Sequence, residues 1–572
     1  MDYKKEYKRW LENADEETVK ELNLIQNDEK EIEERFYKSL EFGTAGLRGV
    51  IGAGSNRMNS YIVGQATQGL ANQLIKTNPK EAELSVAIAY DSRIKSDEFA
   101  KTAASILAAN GIKVYLFEEL KPVPELSFTI GYLKTTAGIV ITASHNPAKY
   151  NGYKVYGSDG AQLNPELASI VLAEIEKTDL FTGVKSCDFD KAVSDGKIIM
   201  IGDEVEEKYL ECVKAQCINP ELCKEKGSTL KFVYTPFHGS GNKPVRKILN
   251  KIGFSDVVVV KEQELPDGNF PTVASPNPEN KEGFTLAIKY AKECGADLIV
   301  GTDPDADRVG ILVKEGDDYT PYTGNQVGAM LCEYILSSLK ERNELKDDAY
   351  IVKTIVTTNL VKAICDEYGV EMKEVLTGFK FIGEKIKESE ETGIGTYVLG
   401  FEESYGYLKG TYARDKDAVV ATMLIAEMTL YYREKGMSLS NLLKSIYEKY
   451  GYYLENVVSV VLEGIDGGEK IAKIMSGLRA NTPSEVGGKK VIAVRDYKTS
   501  VRCEIATGKT EKITLPVSDV IYLELEDGNN FIVRPSGTEP KIKIYCLLNG
   551  KNKAEAEALL GRVKSDIEKI VG

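Results

Sequence analysis

The stretch Ala137-Gly138-Ile139-Val140-Ile141 runs directly into Thr142-Ala143-Ser144-His145-Asn146-Pro147. Its first five residues are apolar and predict a buried strand, while Asn146 is biased away from helix because a proline follows it. We therefore expect Ser144 to lie in a loop at the carboxyl end of a strand, where open α/β sheets usually bind ligands. A serine in that place can act as a nucleophile, although an ordinary turn would fit the loop residues as well.

Strand-like and helix-like patterns alternate on both sides of this stretch, which favours βαβ units on a mixed or parallel sheet. Two further apolar strands also end in polar loops, one at Asp303 and one at Glu402. The three junctions are similar and predict three domains of one topology whose loops face a shared cleft. The predicted elements are strands at 84–90, 112–117, 137–141, 230–234, 256–260, 297–300, 350–356, 371–376 and 396–399, and helices at 97–110, 281–294, 361–368, 416–436 and 438–450.

The chain has 572 residues, which is too long for a single hydrophobic core and predicts about three to five domains. The first forty residues are highly charged, with apolar residues at helical spacing, and predict two or three amphipathic helices. Beyond residue 450 strand-like runs become more frequent and a last helix begins at Lys553, which predicts a separate α+β domain. We expect a first domain at 1–210 with the amino-terminal helices and Ser144, a second at 211–325, a third at 326–450 and a fourth at 451–572.

The net charge of -14 argues against a nucleic-acid or membrane surface, because both require an extended basic face. An anionic substrate remains compatible with it if positive side chains converge locally. The sequence contains no run of about 18 apolar residues, and its first residues lack the apolar core of a targeting segment. We therefore expect a soluble, cytoplasmic protein.

The nine cysteines are scattered without a repeated spacing, which is untypical of a disulfide framework and favours a reducing cytosol. Cys212, Cys217 and Cys223 form the one tight group, but their gaps differ from those of zinc-binding CxxC pairs and no histidine lies near them. The chain has only two histidines, His145 and His238, each in a loop rich in glycine and proline. Metal sites built from several histidines are thereby excluded.

Asp303, Asp305 and Asp307 alternate with Pro304 and Ala306 in the second polar loop. In an extended loop, residues two apart point the same way, so the three carboxylates would converge and would repel one another without a cation between them. Oxygen ligands of this kind suit Mg²⁺. An EF-hand is excluded because Arg308 and Lys314 occupy the positions that require glycine and glutamate, whereas a solvated acidic loop remains the alternative.

Three other loops have the composition of sites for anions or sugars. Phe42-Gly43-Thr44-Ala45-Gly46-Leu47-Arg48-Gly49 combines glycines with an arginine that can fork onto a phosphate, or it is a tight turn. Gly400-Phe401-Glu402-Glu403-Ser404-Tyr405-Gly406 offers carboxylates and a hydroxyl for sugar hydroxyls. Arg534-Pro535-Ser536-Gly537-Thr538-Glu539-Pro540 follows a predicted strand at 530–533 and resembles a phosphate cradle, with a simple turn as the alternative.

Taken together, TASHNP at 142–147, DPDADR at 303–308, GFEESYG at 400–406 and RPSGTEP at 534–540 resemble the α-D-phosphohexomutase superfamily. The four motifs occur in the order of that superfamily and cover nearly the whole chain. The FGTAGLRG loop, the TPFHGSG loop at 235–241 and the charged amino-terminal extension resemble its phosphoglucomutase and phosphopentomutase branch. The resemblance implies an α/β fold with four domains around a central cleft, three of them alike and the fourth an α+β domain.

The resemblance also implies the roles of individual residues. Ser144 would carry a phosphoryl group, and Asp303, Asp305 and Asp307 would hold Mg²⁺ against it. Either Lys154 or His145 would serve as general acid or base, and the sequence does not choose between them. The other implied residues are Arg48 beside the reaction, Arg308, Lys380, Glu402 and Ser404 toward the sugar, and Arg534, Ser536, Gly537 and Thr538 around the phosphate that does not react.

The implied reaction interconverts α-D-glucose 1-phosphate and glucose 6-phosphate through a phosphoserine and a sugar bisphosphate, with glucose 1,6-bisphosphate as primer. A pentose or mannose phosphate as substrate remains open, as does the oligomeric state. Another alternative makes Asp303 the nucleophile, as in haloacid-dehalogenase-like enzymes, although Asp307 stands where those usually have threonine or valine. A last alternative is a catalytically silent sugar-phosphate sensor on the same fold, since a fold does not fix a function.

Overall fold

A computed structural model describes residues 2–43, 46–462, 467–536 and 541–571. The chain forms two compact units. Unit 1 consists of Met1–Tyr322, Ile382–Gly393 and Tyr405–Tyr431, and unit 2 of Thr323–Phe381, Ile394–Ser404 and Tyr432–Gly572. Every helix in the described part of the chain is too short or too polar to traverse a lipid bilayer.

Three helices form the amino-terminal part of unit 1, as the charge and apolar spacing predict. Each begins at an aspartate, Asp2, Asp15 or Asp28, whose side chain accepts hydrogen bonds from the backbone N–H groups of the first turn. Trp10 is fully buried and makes edge-on contacts with Phe36 and with two aromatic rings of the following domain. The helices are α1 (Tyr3–Asn13), α2 (Glu16–Leu24) and α3 (Glu29–Phe36).

The first sheet of unit 1 has the strand order β1-β5-β4-β2-β3-β6. Strands β2, β3, β4 and β6 run parallel, whereas β5 returns antiparallel beside β4. The predicted strand at 137–141 is confirmed as β4, but β5 was not predicted because its sequence has two glycines and a lysine. Its strands are β1 (Leu47–Val50), β2 (Ser85–Tyr90), β3 (Lys113–Phe117), β4 (Ala137–Ile141), β5 (Tyr150–Gly157) and β6 (Ile198–Ile201), and its helices are α4 (Ser60–Thr77), α5 (Ser96–Ala109), α6 (Val123–Leu133), α7 (Pro165–Lys177), α8 (Phe189–Ser194) and α9 (Asp203–Lys214).

The second sheet of unit 1 repeats this plan with the order β11-β10-β9-β7-β8. Its parallel strands are β7, β8 and β9, and β10 returns antiparallel beside β9. The predicted helix at 281–294 is found as a 3₁₀ turn, Lys281–Phe284, followed by an α-helix. The elements are α10 (Pro220–Lys226), β7 (Phe232–Thr235), α11 (Asn242–Ile252), β8 (Val257–Val259), α12 (Lys261–Glu264), α13 (Thr285–Cys294), β9 (Leu298–Thr302), β10 (Val309–Glu315) and β11 (Asp318–Tyr322).

The third set of elements alternates strands and helices along the chain, and its elements are divided between the two units. Strand β12 pairs in parallel with both β13 and β14. The predicted strands at 350–356, 371–376 and 396–399 and the predicted helices at 361–368, 416–436 and 438–450 are confirmed with shifts at their ends. The elements are α14 (Gly324–Glu341), β12 (Ala349–Thr354), α15 (Leu360–Tyr368), β13 (Glu371–Val375), α16 (Phe379–Thr392), β14 (Thr396–Glu402), β15 (Gly406–Leu408), α17 (Ala418–Glu434) and α18 (Leu439–Tyr450).

The carboxyl-terminal part of unit 2 is an antiparallel sheet packed against two helices. Its core is a separate cluster that includes Met475, Phe531 and Val563. The sheet has the order β16-β23-β22-β21-β18-β19-β20, with β17 paired to β18. The elements are β16 (Tyr452–Val461), α19 (Gly467–Ala480), β17 (Glu485–Val486), β18 (Lys489–Asp496), β19 (Val501–Glu504), β20 (Thr510–Lys512), β21 (Ile521–Leu525), β22 (Asn530–Pro535), β23 (Lys541–Gly550) and α20 (Lys553–Val571).

Candidate active site

The serine loop connects β4 to the antiparallel strand β5, at the carboxyl end of β4, as predicted. Ser144 has a φ of 50°, a left-handed conformation that is uncommon for a residue with a side chain. Its backbone N–H donates to Thr142 Oγ1 over 2.8 Å. Ser144 is held in this conformation by its surroundings, because the loop alone would favour a more relaxed backbone.

Arg93 supplies much of that surrounding structure. Its guanidinium, which is fully buried beside Asp91, donates to the backbone carbonyl oxygens of Ser144 and Asn146. It also donates to the carbonyl oxygens of Pro147 and Tyr150, at 3.1 and 3.0 Å. One guanidinium thus fixes four carbonyl groups around the serine, a role that the sequence analysis did not assign.

The acidic loop connects β9 to the antiparallel strand β10, the position that the serine loop has in the first sheet. Our expectation of an extended loop is wrong, because the loop is a tight turn in which Ala306 has a φ of 48° and donates its N–H to the Asp303 carbonyl. The carboxylate of Asp303 accepts from the backbone N–H groups of Asp307 and Arg308 over 3.1 and 3.0 Å. The turn brings the three carboxylates together.

The three aspartates and Ser144 converge on one point. The ligand oxygens of Asp303, Asp305 and Asp307 lie within 4.8 Å of one another, and the Ser144 hydroxyl donates to Asp303 Oδ2 over 2.8 Å. All three carboxylates are buried, and Asp305 Oδ1 and Asp307 Oδ1 have no hydrogen-bond partner among the described residues. Buried carboxylate oxygens left in this way fit a divalent cation with oxygen ligands, of which Mg²⁺ is the usual example.

Two lysines reduce the repulsion within this cluster. Lys154, from β5, lies 3.1 Å from Asp305 Oδ2, and Lys416 lies 3.1 Å from Asp307 Oδ2. Burial raises the pKa of Asp303 well above its usual value, and the charges of the other two aspartates add to that rise. Burial acts to raise the pKa of Asp305, but Lys154, the hydrogen bond with Asp303 and the charge of Lys416 together outweigh it and the pKa falls.

Lys416 is a site residue that the sequence analysis missed. It lies in Arg414-Asp415-Lys416-Asp417, just before α17, and it also contacts Asp415 at 3.2 Å. The backbone N–H of Ala418 donates to the carbonyl of Ala306 in the acidic loop. The signal in the sequence was an alternation of acidic and basic residues before a long apolar helix, which is too common to indicate a site.

The remaining predicted residues of unit 1 lie around Ser144. His145 Nδ1 is 3.2 Å from the Ser144 hydroxyl, and burial together with the charges of Arg308 and Arg48 lowers the pKa of His145 well below its usual value. Arg48 is exposed on β1 and donates to Asn146 Oδ1 over 3.3 Å. Arg308 contacts Glu279 at 2.8 Å. His145 is therefore neutral near pH 7. Arg48 and Arg308 supply positive charge that could bind an anion.

The second histidine has a structural position. His238 is buried, and its ring nitrogens lie 3.0 Å from the carbonyl of Leu265 and 2.9 Å from the hydroxyl of Thr272. Phe270, in the segment so held, stacks its ring on the guanidinium of Arg93, 5.1 Å from the ring centre. His238 thus supports the serine loop from a distance.

In unit 2 the predicted sugar loop lies at the end of β14. Glu402 is buried and accepts from the backbone N–H of Gly378 over 2.8 Å, next to the first turn of α16 where Lys380 lies. Glu403 accepts from the hydroxyls of Thr354 and Thr357 at 3.4 and 3.3 Å. Ser404 is partly exposed at the end of the loop.

The predicted phosphate loop follows β22 in the same unit. Arg534 lies on β22 opposite Lys543 of β23, and the backbone N–H of Ser536 donates to the Lys541 carbonyl over 2.8 Å. Burial and Glu402 raise the pKa of Glu403, and the charges of Arg534 and Lys543 act against that rise. Gly537 and Thr538 lie outside the described residues.

Three family models match this chain, and together they cover more than half of it. Their descriptions are phosphoglucomutase/phosphomannomutase, alpha/beta/alpha domain I for residues 39–181, domain II for residues 207–316 and domain III for residues 323–450. The chain therefore belongs to the phosphoglucomutase/phosphomannomutase family. The predicted fold class is confirmed as three similar α/β/α domains followed by a β-rich carboxyl-terminal domain.

Relatives that are similar over most of this chain are named phosphoglucomutase. The chain is 37% identical to the phosphoglucomutase of Staphylococcus saprophyticus over 545 residues, which is 95% of this chain and 96% of that protein. It is 39% identical to the phosphoglucomutase of Staphylococcus haemolyticus over 526 residues, 91% of this chain and 92% of that protein. The fold and these relatives support an enzyme of the isomerase and phosphotransferase type.

Solved structures share the fold at lower identity. A phosphoglucomutase/phosphomannomutase family protein from Burkholderia thailandensis has a TM-score of 0.65 at 19% identity, covering 93% of this chain and 96% of that one. The phosphoglucomutase parafusin from Paramecium, in an open form, has a TM-score of 0.68 at 16% identity, covering 94% of both chains. At these identities the similarity concerns the fold alone.

Proposed function

We propose that this protein is a phosphoglucomutase, which interconverts α-D-glucose 1-phosphate and glucose 6-phosphate through phosphoserine 144 and a bound glucose 1,6-bisphosphate. The observation that carries the proposal is the hydrogen bond of 2.8 Å from the Ser144 hydroxyl to Asp303, within a cluster of three buried aspartates. The names of the relatives support glucose as the sugar. We also propose a cytosolic location and domain divisions near residues 210, 325 and 450.

Asp303, Asp305 and Asp307, with an oxygen on Ser144, would hold Mg²⁺. The bound cation would neutralise charge on the phosphoryl group during transfer, which depends on positioning and electrostatics more than on covalent chemistry. The chain's own cations act in the same sense. Lys154 and Lys416 hold Asp305 and Asp307 in place, and the charges of Arg308 and Arg48 act on His145, the residue after Ser144, where charge must be balanced.

The Ser144 hydroxyl must lose its proton when it attacks the bisphosphate, and the serine oxygen must regain one when the sugar hydroxyl attacks phosphoserine. A neutral His145, 3.2 Å from the serine oxygen, can accept that proton and return it, and its lowered pKa keeps it neutral near pH 7. Lys154 is held by Asp305 and therefore serves better as a charged partner of the acidic loop. We assign the general base to His145 and charge stabilisation to Lys154.

Residues of unit 2 would bind the sugar phosphate in both of its orientations. Glu402 is buried and oriented by the Gly378 N–H, which suits a carboxylate that accepts hydrogen bonds from sugar hydroxyls. Ser404 and Lys380 would assist it, and Arg534, Ser536, Gly537 and Thr538 would hold the phosphate that does not react. The bisphosphate must turn around between the two transfers. These contacts therefore have to bind phosphate tightly and to accept sugar hydroxyls with little selectivity between them.

Initial rates test the proposal directly. The substrates are α-glucose 1-phosphate, mannose 1-phosphate, ribose 1-phosphate and deoxyribose 1-phosphate, each with a trace of its bisphosphate, and Ser144→Ala protein serves as a control for contaminating enzyme. The proposal predicts the highest kcat/KM for glucose 1-phosphate. A higher kcat/KM for ribose or mannose 1-phosphate would show that this sugar phosphate is the preferred substrate in place of glucose 1-phosphate. No turnover with any of the four would favour a silent sensor.

A further inference from the structure

A second group of potential metal ligands lies in unit 1, apart from the acidic loop. It consists of Cys217, Cys223 and Glu427, whose ligand atoms lie within 4.8 Å of one another. The two sulfur atoms are 3.9 Å apart. Cys223 and Glu427 are buried and Cys217 is partly exposed.

Three different elements bring these residues together. Cys217 lies in the turn after α9, Cys223 lies in α10, and Glu427 lies on α17. The Glu427 carboxylate accepts from the backbone N–H of Ile218 over 2.8 Å and from that of Asn219. Those two bonds fix the carboxylate beside the thiols, and carboxylates that bind metals are usually held by such hydrogen bonds.

The sulfur separation discriminates between two uses of a thiol pair. A disulfide needs about 2.05 Å between its sulfur atoms. Two thiolates on one tetrahedral zinc ion, at about 2.3 Å from the metal, stand about 3.8 Å apart. At the observed 3.9 Å the Cys217 thiol donates a hydrogen bond to Cys223 Sγ, so the pair is not a disulfide, and the same separation fits the second arrangement once both thiols are deprotonated.

We infer that Cys217, Cys223 and Glu427 form a binding site for a divalent cation of the Zn²⁺ class, with water as the fourth ligand. Thiolate ligands select such cations over Mg²⁺, which prefers oxygen. When the cation binds, two sulfur–metal bonds and one oxygen–metal bond form. The two thiols lose their protons to solvent, and no oxidant is needed.

The position of the site suggests what the cation would do. Helix α17 begins directly after Lys416 and Asp417, and the hydroxyl of Tyr209 on α9 donates to Asp417 over 2.9 Å. A cation at Glu427 would cross-link the segment between α9 and α10 to this helix. It would therefore stabilise the folded protein according to its concentration relative to its Kd.

The spacing of the cysteines could not predict this site, because the third ligand is distant in sequence. Glu427 lies 209 residues after Ile218, the residue whose N–H it accepts. The group therefore looks incomplete along the chain and becomes complete only in the folded protein.

The experiment titrates the full-length protein, stripped of metal with a chelator, with Co²⁺ in the presence of excess Mg²⁺ and a reductant that does not bind metals. A site with two thiolates gives an intense thiolate-to-cobalt absorption band in the near ultraviolet, which carboxylates of the acidic loop cannot give. Zn²⁺ is then added to displace the Co²⁺. We expect one Co²⁺ per chain with this band and its loss on addition of Zn²⁺.

Variants identify the ligands. Cys217→Ser and Cys223→Ser should each reduce the band and weaken Co²⁺ binding by on the order of 100-fold, while Glu427→Gln, which can still accept the two backbone bonds, should weaken it by on the order of 10-fold. Cys187→Ser is the matched control, since Cys187 is a partly exposed free thiol elsewhere in unit 1. It should leave the titration unchanged.

Thermal unfolding without metal shows whether each variant is folded, so that a lost band is not caused by unfolding. Should a variant fail to fold, alkylation of Cys217 in the wild-type protein serves as the test in place of that variant. Bound Co²⁺ should then protect the Cys217 thiol from the alkylating reagent. The proposal is overturned if wild type gives no thiolate band, if the band persists in the Cys217→Ser/Cys223→Ser double variant, or if mass spectrometry finds the two thiols joined as a disulfide.

Discussion

The acidic loop of unit 1, with Asp303, Asp305 and Asp307, and the predicted sugar loop of unit 2, with Glu402 and Glu403, hold their carboxylates in different ways. Asp305 and Asp307 face the ammonium groups of Lys154 and Lys416 at 3.1 Å each. Glu402 and Glu403 instead face neutral donors, namely the backbone N–H of Gly378 and the hydroxyls of two threonines. A cluster balanced by cations suits a change of charge during reaction, and carboxylates held by neutral donors suit the binding of hydroxyls.

This difference predicts how variants of the two units divide between kinetic constants. Groups that act on the charge of the transferring phosphoryl should lower kcat, because their contribution grows in the transition state. Groups that bind the remainder of the substrate equally in both states should raise KM.

The largest effect is expected for Ser144→Ala, which removes the oxygen that would receive the phosphoryl group in the proposed reaction. Turnover should fall by roughly a thousandfold or more, since the variant has lost the proposed nucleophile. Protein labelled with phosphate should lose its label in this variant, and label on wild type should resist hydroxylamine. Label that hydroxylamine removes would instead indicate an aspartyl phosphate, as in the alternative with Asp303 as nucleophile.

Asp305→Asn should have the next largest effect, because it removes one of three anions while leaving the shape of the loop. We expect kcat/KM to fall by on the order of a hundredfold and the Mg²⁺ titration to shift to higher concentrations. Asp159→Asn is a matched control, since the carboxylate of Asp159 pairs with Lys387 at 3.2 Å. A Mg²⁺ titration of Asp305→Asn that overlays the wild type would contradict a metal role for the acidic loop.

Arg534→Ala tests the contribution of unit 2. Loss of one charge-assisted, bidentate contact to a phosphate corresponds to about 1.5 to 3 kcal/mol, or on the order of ten- to a hundredfold in kcat/KM, mainly through KM. Phosphorylation of Ser144 in the resting enzyme should persist. Arg502→Ala, which removes a guanidinium paired with Glu524 in the same sheet, is the control. A change within about twofold of wild type would mean that the loop after β22 is only a turn.

The smallest effect on activity is expected at a buried carboxylate outside both loops. Glu125 is fully buried on α6, the Lys121 ammonium lies 3.9 Å from its carboxyl group, and neither carboxyl oxygen has a hydrogen-bond partner among the described residues. Burial raises the pKa of Glu125 from 4.5 to about 8, Lys121 opposes the rise, and Glu206 adds to it. Because the folded pKa is raised, the contribution of Glu125 to stability is fully present below about pH 4.5 and is lost as the pH rises toward about 8.

Glu125→Gln should remove this dependence. Between pH 4.5 and about 8, the free energy of unfolding of the wild type should fall relative to that of the variant by about 1.4 kcal/mol per pH unit. Denaturant unfolding at a series of pH values measures it, and kcat should change little. Glu118→Gln, at an exposed position, controls for the change in net charge. Parallel pH profiles for wild type and Glu125→Gln would show that Glu125 is ionised in the folded protein.

The sequence by itself determined many of the helices and strands and singled out the loops in which the candidate site residues lie. Local patterns predicted β4 and the turn at Ser144, since five apolar residues followed by a residue before proline restrict the backbone whatever surrounds them. Asp303, Asp305 and Asp307 were recognised for the same reason, because their spacing within one loop does not depend on the rest of the fold. The type of each domain followed from the order of strands and helices.

Tertiary structure alone decided which distant groups complete each site. Lys416 reaches Asp307 across 109 positions of sequence, Arg93 fixes the carbonyl of a serine 51 residues away, and Glu427 meets one thiol from the turn after α9 and one from α10. The turn that gathers the aspartates also depends on Ala306 in a left-handed conformation, which its residue type disfavours. Charges and backbone strain of this kind are stabilised by packing between elements, and local sequence carries no record of which elements will meet.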